Sequence, residues 1–262
     1  MRNISVPVVV AISENLIVKI NLVPDWSAHM EFETRVKEIL RRADDVKSFR
    51  FERPQGFDFE PGQFLYITIL IDGEKRSKHF SISSSPTERN FIELTKKITD
   101  HEFSTALDKL KVGDWAYIDG PYGEFTFKGE YPKIGMITGG IGITPLLSII
   151  QYCTDTGIDS QITLLYGNRS EETIAFRKEL SKLEQRNKSL KLLHILSRPS
   201  ADWKGRRGHI DLQLIREELP DYMERVFYVC GPPSLVTDLT DALNTLGVPA
   251  AKIKTEDFLG YS

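Results

Sequence analysis

Residues Gly139-Gly140-Ile141-Gly142-Ile143-Thr144-Pro145 form a glycine-rich turn between two apolar stretches. Residues 134–137 precede it, ending at Thr138, and Leu146, Leu147, Ile149 and Ile150 follow it. The pattern reads as a strand, a turn, and a helix whose first turn holds Pro145. Such a junction can hold the pyrophosphate of a dinucleotide. Glycines let the main chain approach the phosphates, and the first N–H groups of the helix point at them from the positive end of the dipole. Proline suits a first helical turn because its missing N–H has no partner there. The turn departs from G-x-G-x-x-G, since Pro145 stands where the third glycine would be.

Four more groups stand at or just after apolar, strand-like runs. Arg169 follows Tyr166-Gly167-Asn168, and Arg198 follows the run 190–196. Cys230 closes the run 225–230 and leads into Gly231-Pro232-Pro233. Glu256 follows 251–255, just ahead of Phe258 and Tyr261. Guanidinium groups suit a phosphate, and a carboxylate suits proton transfer.

The elements that must position these groups alternate. The runs 134–138, 161–166, 190–196, 225–230 and 251–255 are separated by helical stretches such as 171–185 and 232–246. That order predicts a doubly wound, parallel α/β sheet. Ligands of such sheets bind beyond the carboxyl ends of the strands, so the residues above share one rim.

Residues 31–128 have a different texture. Short alternating runs (32–40, 46–51, 64–71, 91–97 and 115–118) are broken by turn signals such as Pro61-Gly62 and Asp72-Gly73. They predict an antiparallel β-barrel or sandwich, interrupted by one helix near 101–109. The expectation is therefore two domains, an antiparallel β-barrel over 31–130 and an α/β domain over 131–262. Each is large enough for its own core. Residues 1–30 form an N-terminal extension. Its apolar run 6–12 is too short to span a bilayer, and 16–23 reads as an extra strand. Packing on the barrel, self-association and no role at all remain open for it.

In this order of elements the chain resembles the ferredoxin–NADP reductase-like superfamily of flavoprotein reductases, over roughly residues 31–262. Lys78-His79-Phe80-Ser81-Ile82-Ser83-Ser84 resembles the flavin motif Arg-x-Tyr-Ser-x-x-Ser. Phe103-Ser104-Thr105-Ala106-Leu107 resembles the flavin pyrophosphate turn with its helix. Gly120-Pro121-Tyr122-Gly123 closes the barrel as in the family. The turn 139–145 resembles the nicotinamide pyrophosphate turn, and Cys230-Gly231-Pro232-Pro233 the Cys-Gly-Pro motif. The resemblance implies FAD as cofactor and NADPH or NADH as hydride donor, with electrons passing to a separate acceptor.

The resemblance also assigns roles. Phe80 corresponds to the aromatic that stacks on the isoalloxazine, Ser81 to the hydroxyl at its reactive N5 edge, and Lys78 to an arginine that holds the pyrophosphate. His79 and Ser84 belong to the same flavin motif. Two of these positions depart from the family. Lysine offers a point charge in place of a planar fork, and phenylalanine lacks the phenol hydroxyl. Arg76 shares a face with Lys78 and compensates only if the strand bends. Ser104 and Thr105 correspond to the groups at the flavin pyrophosphate, while His101 reads as a solvated turn residue.

Cys230 corresponds to the cysteine near the nicotinamide, and a small buried residue is the other reading. Glu256 corresponds to a carboxylate that fixes the nicotinamide or relays a proton, and a rim charge is the other reading. Phe258 and Tyr261 cover the flavin or the adenine, or simply pack. Asn168 and Arg169, with Arg198, correspond to the site of the NADP 2′-phosphate, which favours NADPH. The arginines of the run Trp203-Lys204-Gly205-Arg206-Arg207-Gly208 read as a second phosphate contact or as part of a solvated loop, and the loop is the preferred reading.

Composition narrows the partners. The 262-residue chain has a formal charge of −3, which gives no bulk attraction to nucleic acid. Its two cysteines, Cys153 and Cys230, are too few for an iron–sulfur cluster, so no metal centre is expected and electrons leave to a separate acceptor. Few cysteines also fit a reducing cytoplasm. Basic residues gather at Arg35, Lys37, Arg41, Arg42, Lys47, Arg50 and Arg53, and again at Lys75, Arg76 and Lys78. In the family an acidic ferredoxin- or flavodoxin-type protein docks on such a face. A solvated strand face is the competing reading. Reduction of free flavin or ferric chelates, and a relay subunit of a larger complex, stand as alternative functions.

Overall fold

The computed structural model describes residues 7–11, 17–21 and 29–258. Strands β1 (Pro7–Ala11) and β2 (Ile17–Asn21) pair antiparallel in a hairpin. Six further strands form one antiparallel sheet. They are β3 (Met30–Ala43), β4 (Val46–Glu52), β5 (Phe64–Ile71), β6 (Glu74–Ser81), β7 (Phe91–Lys97) and β8 (Trp115–Tyr122), in the order β6-β5-β8-β3-β4-β7. In β5, Leu65, Ile67, Ile69 and Ile71 are buried while Tyr66 and Leu70 face outward, the two-residue period of a half-buried strand. The sheet curls into an open half-barrel, and its two end strands approach where Ile82, just beyond β6, bridges to Leu94 of β7 and Ser83 N–H donates to Glu93 O at 2.8 Å. Helix α1 (Glu102–Asp108) closes one side by placing Phe103 and Leu107 on the barrel core.

The second sheet is parallel throughout. Its strands are β9 (Lys133–Gly139), β10 (Gln161–Asn168), β11 (Leu190–Leu196), β12 (Arg206–Arg207), β13 (Val226–Gly231) and β14 (Ile253–Asp257), in the order β12-β11-β10-β9-β13-β14. Helices α2 (Ile143–Thr156) and α3 (Arg177–Arg186) pack in the hydrophobic core on one face. Helices α4 (Leu212–Glu218) and α5 (Pro233–Thr245) pack in the core on the other. Strand order reverses at β9, so the crevice between β9 and β13 is the point where such a sheet takes a ligand.

Three local predictions change. The stretch 171–185 is not one helix. A single turn at Glu171–Thr173 is followed by Phe176 at φ 60°, and α3 starts only after it. Phe176 is 1% exposed, so burial of its ring offsets the cost of a left-handed backbone in a residue with a side chain. The run 203–208 is not all loop, since Arg206 and Arg207 extend the sheet beside Ile195 and Leu196. Helix α4, absent from the sequence reading, begins at Asp211, whose carboxylate accepts from Leu214 N at 2.8 Å.

The two halves share a core. Val46, Phe125 and Phe127 pack with Leu146, Ile150 and Tyr228. Arg42 of β3 binds Glu179 of α3 at 2.6 Å and Glu93 at 2.7 Å, with its guanidinium 4.9 Å from the Phe176 ring centroid. Ser148 Oγ donates to Ser84 O at 2.7 Å, and Tyr228 OH to Thr126 O at 2.8 Å.

Candidate functional site

Two clefts open where the halves meet, and Ile141 of the glycine turn lines both. The first is built mainly from the barrel. Strand β6 delivers Lys78, His79, Phe80 and Ser81, and α1 delivers Phe103 and Ser104. The α/β half adds Thr144, Glu256 and Phe258. Phe80 and Phe103 stand 6.0 Å apart at 31°, and Lys78 Nζ lies 5.9 Å from the Phe103 ring centroid. This makes an apolar wall with cations at its edge.

The back of this cleft carries the one bond between Ser81 and Glu256. Ser81 Oγ donates to Glu256 Oε1 at 2.9 Å. Burial pushes the Glu256 carboxyl up to about 7, against the opposing pull of the Ser81 bond. The pair therefore holds a proton near neutral pH. Phe258 is pinned beside it, since its N–H donates to Gly231 O at 2.9 Å. Tyr261 lies outside the described residues.

The second cleft follows the parallel sheet. Gly139 and Gly140 close β9, Asn168 and Arg169 follow β10, and Ser197, His209 and Asp238 complete the wall with Asp45 and Lys97 from the barrel. Gly140 adopts φ 54° with open space beside it, and Gly142 is pressed against the strands. A Cβ at Gly142 would meet Thr138 Oγ1 at 2.5 Å, Cys230 O at 2.7 Å and Gly231 Cα at 2.8 Å. Ile143, Thr144 and Pro145 then start α2, all buried.

Several sequence-predicted residues sit beneath the clefts and not in them. Cys230 is fully buried and lines neither. Its Sγ donates to Gly142 O at 2.9 Å, and Thr138 Oγ1 donates to Cys230 O at 2.8 Å. Burial and the nearby Glu256 push its thiol well up, so it stays protonated. The cysteine thus braces the glycine turn. Gly231 and Pro232 continue that brace into α5. Ser84 Oγ accepts from Glu93 N at 3.0 Å and faces the domain junction. Thr105 gives its N–H to His101 O within the helix. Arg169 lines the second cleft, and Arg198 lies beside it without lining that cleft, its N–H donating to Arg169 O at 2.7 Å.

Other residues were missed in the sequence reading. Lys96, Thr95, Thr99, Phe64 and Tyr66 line the first cleft, as does His101. Asp45 and Lys97 reach the second and pair at 3.2 Å. Most of the basic cluster at the start of the barrel is paired. Arg41 pairs with Asp44, Lys47 with Asp108, Arg50 with Glu38 and Glu93, and Arg53 with Asp58. Together with the Arg42 pairs, this leaves Arg35 and Lys37 of β3 exposed without an ion pair among the described residues, and β6 presents exposed Lys75, Arg76, Lys78 and His79, with Arg76 beside Glu74.

The profile of the oxidoreductase FAD-binding domain matches residues 33–127, and that of the oxidoreductase NAD-binding domain matches residues 136–241. NADH-cytochrome b5 reductase 1 of Candida glabrata is 33% identical over 230 residues, 85% of this chain and 81% of that protein. The chain belongs to the ferredoxin–NADP reductase-like flavoprotein oxidoreductases. The glycine betaine monooxygenase reductase subunit of Chromohalobacter salexigens is 30% identical over 233 residues, 86% of this chain. The chain spans 63% of that relative's length. The fold also matches a ferredoxin–NADP+ reductase of Neisseria gonorrhoeae determined with FAD and NADP (TM-score 0.76, 20% identity, 87% of this chain and 98% of that one).

The ferredoxin–NADP reductase-like family implies FAD and a nicotinamide nucleotide, and the residues present fit both. The first cleft offers aromatic rings for a flat ring system and lysines for a diphosphate. Thr99 Oγ1 is buried there without a hydrogen-bond partner in the protein. The second cleft offers a glycine turn at a helix start, with the polar Asn168 and Arg169 on its wall.

Proposed function

We propose that this protein is a reductase that draws hydride from NAD(P)H, with NADPH favoured, into FAD and delivers electrons to a separate protein of ferredoxin or flavodoxin type. The observation that carries this reading is the junction of the two clefts at Ile141, with the Ser81–Glu256 pair on the wall of the flavin side. FAD, when bound, supplies a hydride acceptor that can release electrons singly. The chain's own groups do the rest. Phe80 and Phe103 fix the ring plane, Lys78 holds phosphate charge, and Glu256 with Ser81 holds or releases a proton at the cleft wall. The glycine turn, braced by Cys230, sets how deep the nicotinamide nucleotide sits. Arg169 reads the 2′-phosphate. The flavin half extends over 31–130 and the nucleotide half over 131–262.

The basic strand β6 beside the cleft mouth supports an acidic protein partner. The names of the two relatives, a monooxygenase reductase subunit and a cytochrome b5 reductase, support a protein acceptor as well. A second reading has its own observation. Phe64, Tyr66, His79 and Tyr122 form a ring cluster at the same mouth, with centroids 5.6–6.0 Å apart and Tyr66 39% exposed. A planar small acceptor such as free flavin suits that surface. A reducing, cytoplasmic setting accords with two buried free cysteines. No helix among the described residues is long and apolar enough to cross a membrane.

The deciding experiment is steady-state turnover with NADPH and NADH against a ferredoxin, free flavin and a ferric chelate in parallel. Fastest turnover with NADPH and the ferredoxin supports the proposal. Free flavin outpacing every protein acceptor shifts the assignment to the second reading.

A further inference from the structure

Lys96 occupies a position where the barrel strand calls for an apolar side chain. It follows Leu94 by two residues on β7, so both side chains leave the same face. Leu94 belongs to the barrel core, and Lys96 is itself only 8% exposed. The aliphatic stem of a lysine can cover such an apolar wall while its ammonium reaches a polar space. The space it lines is the flavin cleft, and Lys78 lines it from β6. Burial, then repulsion from Lys78 and Lys97, lowers the Lys96 ammonium to about 8.

Lys78 and Lys96 line the same cleft, and a dianion bound there would be attracted by both ammonium groups. Thr99, with its orphaned hydroxyl, and Ser104 line the same cleft as further hydrogen-bonding groups. The departure at position 78 leaves a gap to fill, because lysine lacks the bidentate fork of arginine. Arg76 does not fill it. Its guanidinium is 50% exposed, pairs with Glu74 at 3.8 Å and lies outside the cleft lining.

We propose that Lys96 and Lys78 form a two-lysine clamp on the diphosphate of FAD, with Lys96 supplying from β7 the charge that a lysine at position 78 leaves short. This rests on reading the first cleft as the flavin site. Two point charges recognise charge more than shape, so affinity should follow the phosphate content of the flavin: FAD above FMN above riboflavin.

The test uses the full chain, freed of flavin, titrated with FAD, FMN and riboflavin by flavin fluorescence quenching. Lys96→Met keeps the stem and removes the charge. We expect it to weaken FAD by about ten- to a hundredfold, the size of a lost charge-assisted contact, and riboflavin by less than about twofold. Lys96→Arg should restore most of the FAD affinity. Lys78→Met is the second arm and should show the same selective loss, so the clamp stays testable if one variant folds poorly by circular dichroism. Unchanged FAD affinity in either folded variant overturns the clamp. Equal losses for FAD and riboflavin also overturn it, because the lysine then acts on the ring or only packs. A wild-type chain that binds none of the three flavins overturns the flavin reading itself.

Discussion

Ser81 Oγ and Glu256 Oε1 meet at 2.9 Å, joining the end of barrel strand β6 to the last strand of the nucleotide half, 175 residues further on. This bond links the two halves inside the first cleft. A hydroxyl donating to a carboxylate favours its charged form, yet burial outweighs it and the carboxyl sits at about 7. The proton on Glu256 is therefore exchangeable at neutral pH.

A stability consequence follows from that carboxyl. Its folded-state value of about 7 lies above the ordinary 4.5. The folded chain thus binds the proton more tightly than the unfolded chain. The stabilisation is full below about 4.5 and is lost as pH rises through about 7. Glu256→Gln removes this dependence. Wild-type stability should fall relative to the variant by about 1–3 kcal/mol between pH 4.5 and pH 8. Urea melts of both proteins at several pH values measure the difference, and parallel curves would place Glu256 in an ordinary solvated setting.

Arg169→Ala should weaken NADPH far more than NADH. Arg169 is the arginine that lines the second cleft. A lost charge-assisted contact costs about 1.5–3 kcal/mol, or roughly ten- to a hundredfold in kcat/KM for NADPH. Steady-state kinetics with both nucleotides decide the matter, and equal losses would remove Arg169 from the 2′-phosphate site.

Cys230→Ala should slow flavin bleaching by saturating NADPH while FAD stays bound. The thiol is fully buried and holds Gly142 O at 2.9 Å, so its effect runs through the position of the turn. Small misplacement of reacting atoms costs up to about a hundredfold in rate. Stopped-flow absorbance reports the step directly. Bleaching at the wild-type rate would reduce Cys230 to a packing residue.

Gly142→Ala should damage the fold itself. The added methyl meets the main chain of Cys230 and Gly231 at 2.7 and 2.8 Å, and neither can swing aside as a side-chain end would. Overpacking of this kind costs about 1–3 kcal/mol. We expect a lowered Tm and weakened nicotinamide binding together. Ala at Gly140, beside open space but at φ 54°, should cost about 1 kcal/mol from the backbone alone. A thermal melt of each variant separates the two cases.

Periodicity made the architecture legible. The alternation in residues 64–71 and the apolar runs at 134–138 and 225–230 mark strands whose faces the structure buries as read. The glycine turn was legible because it is local. What escaped was non-local or cryptic. Arg42 pairs with Glu93 and Glu179, 51 and 137 residues away, and no spacing signals such a bond. Phe176 takes a left-handed backbone that glycine or asparagine would have flagged. Lys96 looks like a solvated strand residue until β7 is seen beside the first cleft. Helix α4 had a usable signal in Asp211, but its seven residues fall below the length at which periodicity speaks.

Strand β6 is the outer strand of its sheet, and from Glu74 to Lys78 it pairs, among the described residues, only with β5. A strand edge of that kind invites pairing with another chain and hence aggregation, which charged side chains suppress. Glu74, Lys75, Arg76 and Lys78 are all exposed along it. The same charges that would attract an acidic partner therefore keep two copies of the reductase from zipping together along this edge. Charge-neutralising variants of β6 should lose colloidal stability as well as partner affinity, and single substitutions monitored by light scattering will separate the two effects.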